Sequence, residues 1–184
     1  MKNLITCVFV LMVFVVFGQK EKVTEDTKAD IFSSRKGSVI EKSWVKVGRL
    51  ESQSLLSISV PVEILKIKDL AKNDSLFCLS ITLPGIGQYD SSTSGYIDAE
   101  EIPNIIVFLK TVEEKYLKTV VPTSQMEVTY KCDSGFEIGC LTFKNKWQIF
   151  IKPKYYASAI ATYEISALPN ILSILQRSLT FIKQ

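Results

Sequence analysis

Ser33 and Lys36, and again Ser43 and Lys46, stand at the Ser-x-x-Lys spacing that can join a nucleophile to its base. That chemistry requires both groups on one face of a helix. Ser43-Trp44-Val45-Lys46 reads as strand, where a spacing of three turns the pair to opposite faces. Ser33 and Lys36 fall in a charged leader, and no Ser-Asp-Asn or Lys-Thr-Gly accompanies either pair. Asp90, Asp98, Glu100 and Glu101 are the densest carboxylates beyond that leader. Such a set can hold Ca²⁺, or supply the acid and nucleophile of glycoside hydrolysis, which needs no His. No calcium-loop spacing is present, and acids at a helix start answer the free N–H groups and the dipole there. Capping is therefore the preferred reading. The chain contains no His, which removes Ser-His, Cys-His and His-metal chemistry. No glycine-rich phosphate loop occurs. The expectation is a protein that is not an enzyme, with no cofactor and no metal.

The N-terminus points to export. Lys2 precedes the apolar run Leu4 to Phe17, and Val16 and Gly18 fit a small-residue cleavage site. A run of this length reaches only about 21 Å, short of a ~30 Å hydrocarbon core. No later segment reads as long and apolar enough to span. Residues 1–18 are thus a signal peptide, and the mature chain starts at Gln19 in the periplasm or outside the cell. Losing Lys2 lowers the formal charge from +3 to +2. That charge argues against nucleic acid as a partner. Cys7 departs with the signal, leaving Cys78, Cys132 and Cys140 in apolar strand-like runs, where buried free thiols are the preferred reading.

The chemistry above depends on the elements that must position it. Residues 19–36 are charged, lack an apolar period and read as a flexible leader. Residues 37–184 read as one compact domain. Strands are expected at 44–47, 55–68, 76–83 and 91–97, with Pro61 suggesting an edge or a bulge. A helix follows from about Glu100 to Lys118, with Ile102, Ile105, Ile106, Leu109 and Tyr116 inward and an Asp98/Glu101 capping box. The order then repeats: strands at 125–132, 136–143, 146–152 and 157–165, and a helix from Ala167 to about Phe181 capped by Ser166. Leu168, Ile171, Leu172, Leu175 and Leu179 face inward. Ile102-Pro103-Asn104-Ile105-Ile106 matches Leu168-Pro169-Asn170-Ile171-Leu172, 66 residues on. The chain is therefore α+β, with two tandem ββββα units (37–120 and 121–184) whose antiparallel sheets are each packed by one helix. This element order resembles the Whirly-type fold that binds single-stranded DNA. The resemblance implies the topology; an exported chain of charge +2 does not take over the activity.

Turn chemistry sets a register for the second unit. Asp133-Ser134-Gly135 makes a hairpin loop that pairs Cys132 with Phe136, Tyr130 with Ile138, and Val128 with Cys140. A short loop at Lys144-Asn145 pairs Cys140 with Ile149, Ile138 with Ile151, and Thr142 with Trp147. Cys132 and Cys140 are then about 13 Å apart, too far for a bridge that needs Cα atoms within ~7 Å. Both hairpins agree on one apolar face, which the second helix should cover. The other face carries Leu141, Phe143 and Phe150, with Phe150 opposite Gly139, ringed by Lys131, Lys146 and Lys152. Burial of this patch is one reading. The other is a binding site for a protein partner or an amphipathic anionic ligand. The expected function is a non-catalytic binding or interaction module using a sheet face. The alternatives are a small hydrolase using carboxylates near Asp98, or a structural envelope protein. Asn73-Asp74-Ser75 adds an N-glycosylation sequon in a turn.

Overall fold

Two four-stranded antiparallel sheets, each with its strands in chain order, organise the computed structural model, which describes residues 26–51, 59–85, 91–154 and 159–183. The first sheet holds β1 (Ile40–Glu51), β2 (Ser59–Asp69), β3 (Asp74–Leu83) and β4 (Thr93–Asp98), preceded by a short helix α1 (Lys28–Ser33). Helix α2 (Ile102–Val112) follows and continues as a π-helical turn over Glu113–Leu117. The second sheet holds β5 (Glu127–Lys131), β6 (Glu137–Phe143), β7 (Lys146–Lys152) and β8 (Ala161–Glu164). A 3₁₀ turn (Ile165–Ala167) then leads into α3 (Leu168–Ile182). The chain is α+β with a repeated ββββα order. The signal segment, Gln19 and Asp90 lie outside the described residues.

Turn residues hold the register where the sequence places it. Gly135 takes φ 78°, and the loop closes with the Cys132 amide donating to the Phe136 carbonyl at 2.8 Å. Lys144 and Asn145 take φ 48° and 58°, the left-handed pair that a two-residue hairpin needs. Val128 pairs with Cys140, Cys140 with Ile149, and Thr142 with Trp147. Cys78, Cys132 and Cys140 are all buried and free. In the first sheet, Pro61 pairs with Arg49 of β1, beyond the last β2–β3 pair at Val62–Ile81, so β2 is locally an edge there. A bulge between Lys46 and Gly48 absorbs an extra residue on β1.

The inner faces of both sheets and both long helices share one core, from Val62, Leu79 and Ile97 to Ile138, Ile149 and Tyr163. Its residual void is about 10 Å³. The helices are exchanged between the units. Helix α2 lies against β5 and β6, whereas α3 lies against β1 and β2. This corrects the expectation that the second helix covers the second sheet. Gly48 permits the approach: a Cβ there would stand 3.1 Å from the Ile174 side chain of α3. Gly95 does the same at the sheet junction, where a Cβ would meet the Pro153 carbonyl at 2.6 Å.

The ends of the elements bring further corrections. Residues Lys28–Ser33, read as leader, form a helix because Thr27 and Asp30 make a reciprocal capping box and Phe32 finds an apolar bed. Neither the Asp98/Glu101 box nor the Ser166 cap expected for the long helices forms. Glu101 and Ala167 occupy the N-cap positions without side-chain caps, while Pro103 and Pro169 do stand in the first turns, as their sequence positions suggest. In α3, Ile174 is buried, whereas Leu172 and Leu179 are half-buried. Ile165–Ile182 is long and apolar enough to cross a membrane by length and composition, contrary to the sequence reading. Its Leu168, Ile171, Ile174 and Leu175 are spent on the core.

Candidate functional site

The outer face of the second sheet is built from alternate residues of β5 to β8, and it does not form one exposed patch. Phe150 is only 4% exposed, so it is not a surface contact; its ring lies across Gly139. Leu141 is half-buried, and Phe143, at the hairpin end, is 52% exposed. Lys131 and Lys152 sit in cross-strand register with Glu137 on either side. Their ammonium groups lie 3.1 Å and 3.7 Å from its carboxylate, which is itself buried. Two of the three rim lysines are thus engaged in a row across the sheet, and Lys146 stands exposed beside Phe143. The six residues share a face but divide into a closed half around Phe150 and Glu137 and an open half around Phe143.

The carboxylates near Asp98 come together at the junction of the two units. Asp98 ends β4 and is buried, with the Lys28 ammonium of α1 at 3.6 Å from its Oδ2. Lys28 also pairs with Glu100. Burial pushes the Asp98 carboxyl above its ordinary range, against the pull of Lys28, and Asp133 adds to the rise. Glu101 turns across the junction, where its Oε1 accepts the Asp133 amide at 3.0 Å. Next to it, Ser134 donates to the Tyr96 carbonyl. The Cys132 thiol lies against Glu101; burial first, then this carboxylate, pushes its pKa up. These groups join the two units. Asp98 is 2% and Glu101 8% exposed, whereas Glu100 is exposed. Among the described residues, no group of three potential ligands could hold a metal ion.

A third feature was not evident in the sequence. β1 is an edge strand, and residues 41–46 are exposed along it. Trp44 is 55% exposed and Val45 43% exposed, on opposite faces. Lys42, Trp44 and Lys46 share the outer face, opposite Ile67, Leu65 and Glu63 of β2. Beyond the bulge the same strand turns inward, and α3 covers it, with Asn170 donating to the Arg49 carbonyl. The signal was the surrounding charge: an aromatic flanked by Glu41, Lys42 and Lys46 is not the pattern of a core strand. Ser43 and Lys46 do take opposite faces, which separates that nucleophile–base pair. The Asn73 sequon occupies the exposed β2–β3 turn, with φ 51°.

No family model matches the chain, and the searches of curated proteins and of solved structures returned no significant match.

Proposed function

We propose that this chain is an exported, non-catalytic binding module that takes an extended, acidic segment of a protein partner along the β1 edge. Export rests on the N-terminal apolar run and its cleavage pattern, and it places the partner in the periplasm or outside the cell. The carrying observation is Trp44: 55% exposed on an edge strand, on one face with Lys42 and Lys46. Strand edges of single-domain proteins are usually kept unattractive, by lysines among other devices. Here the lysines are kept but a large aromatic is set between them. A strand added to this edge would gain main-chain hydrogen bonds, and its alternate side chains would meet Lys42, Trp44 and Lys46. Acidic side chains at the outer positions suit the two ammonium groups, and a central apolar one suits the indole.

The test uses synthetic ten-residue peptides that carry acidic, apolar and acidic residues in turn at every second position, so that all three fall on one face, with basic counterparts as controls. Trp147 is buried, so a change in indole emission on binding reports Trp44. The acidic peptides should shift that emission and slow amide exchange at 41–46. The reading fails if basic and acidic peptides act alike, or if Trp44→Ser binds as tightly as wild type.

A further inference from the structure

The outer face of the first sheet carries a second apolar cluster, separate from the main core. Leu65, Ile67 and Cys78 from β2 and β3 form its floor, with Leu76 and Tyr96 around them, and Ala29 and Phe32 of α1 close it. This lid is slight. α1 has six residues, too few for a helix to persist without tertiary contacts. Two buried side chains hold it, together with the Lys28 pairs to Asp98 and Glu100 and an exposed Arg35–Asp74 pair at 3.0 Å. The Arg35 guanidinium also stacks 4.0 Å from the Phe32 ring centre. Between α1 and β1 the chain turns at Gly37, with φ 73° and no atom within 4 Å of where a Cβ would stand. A short helix, a small apolar footprint, partly exposed ion pairs and an uncrowded glycine turn are the parts of a hinged closure.

We propose that α1 is a releasable latch, the chain's own occupant of an apolar groove on the first sheet, which opens about Gly37 while the main core stays folded. Release would uncover Leu65, Ile67, Cys78 and Tyr96. Leu65 is the direct cross-strand neighbour of Trp44, so the uncovered surface continues the exposed β1 face. The latch stands on its own contacts and holds whether or not the β1 edge binds an acidic segment. It adds to that reading a means of enlarging the contact surface on demand.

The three thiols make the latch measurable. Cys78 lies in the cluster beneath α1, whereas Cys132 and Cys140 lie in the main core. All three have pKa values raised by burial, so each reacts only when its surroundings open. The chain from Gln19 onward, which lacks Cys7, is treated with iodoacetamide under native conditions, and each of its three thiols is followed by peptide mass. Cys78 should be modified at least tenfold faster than Cys132 and Cys140. Phe32→Ala should raise the Cys78 rate a further tenfold or more and leave the other two unchanged. Modification of all three wild-type thiols at one rate overturns the latch, as does a Cys78 rate unaffected by Phe32→Ala. Should that variant not fold, Lys28→Gln with Arg35→Gln removes the ion pairs and the Arg35–Phe32 stack while leaving every apolar side chain of the cluster in place. It must then accelerate Cys78 alone, and equal acceleration of the three thiols refutes the proposal.

Discussion

The Phe150 ring fills the space where Gly139 has no side chain. The two are directly paired between β6 and β7, and a Cβ on Gly139 would stand 2.8 Å from the Phe150 ring and 2.4 Å from the Val128 carbonyl. The ring is buried on the sheet face away from the main core because its neighbour has no side chain. Gly139→Ala must therefore move backbone as well as ring. It should cost roughly 1–3 kcal/mol or more in denaturant unfolding, as overpacking does. A cost under about 0.5 kcal/mol would mean that the ring can vacate its place freely.

Phe150 and Phe143 share a face but not a role. Phe150→Ser should lower unfolding stability by about 3–5 kcal/mol, the range for deleting a buried aromatic. Phe143→Ser, at a site 52% exposed, should stay within about 0.5 kcal/mol of wild type. Similar losses in the two variants would show that Phe143 is covered in solution.

Two buried aspartates push the pH dependence of stability in opposite directions. Asp98 has a raised pKa, so between its ordinary value of 3.8 and its folded value the native state holds more protons than the unfolded chain. Its contribution therefore falls as pH rises through that window. Asp98→Asn should remove this fall and gain stability relative to wild type above the window. Asp69 is lowered instead, by the Ser38 hydroxyl at 2.7 Å and by the amides of Lys72 and Ala71 in its turn. Its contribution is present above 3.8 and is lost as pH falls through the lower folded value. Asp69→Asn should thus lose stability at neutral pH and converge on wild type in acid. Urea melts at pH 3, 5 and 7 test both signs, and parallel profiles for the two variants would contradict them.

Helix exchange ties the units together. Removing residues 168–184 takes α3 from β1 and β2, which belong to the other unit. Hydrogen exchange should then find unprotected amides in both sheets, with no half left folded. A truncated chain that retains protection in β1 to β4 would show that the first unit stands alone.

How legible the fold was depends on what each residue can report. Gly135 and the Lys144–Asn145 pair state their backbone conformations locally, so the register of three strands follows from them. The periodicity of Leu168, Ile171 and Leu175 marks a buried face but carries no information on which sheet buries it. The exchange of helices was therefore invisible. α1 escaped because six residues are too short for a period to emerge, although the Thr27/Asp30 spacing was a capping signal within the charged leader. Asp98 and Glu101 were read as local caps, and only the arrival of Lys28 and Asp133 from distant segments assigns their partners. Trp44 was legible only as part of a strand, because a strand's place in its sheet is not written in the strand itself.

Gly48 and Ile174 touch across the length of the chain, and this has a consequence for its birth. Polypeptides emerge from the ribosome N-terminus first. Val60, Val62 and Leu50 are therefore made long before α3, which packs on their strands, exists to cover them. The first sheet must wait, apolar side bare, while nearly half the protein, residues 99–184, is still being synthesised. Such a nascent chain needs a holding chaperone or a slow commitment to structure, and it reaches its native state only after the last helix has been delivered.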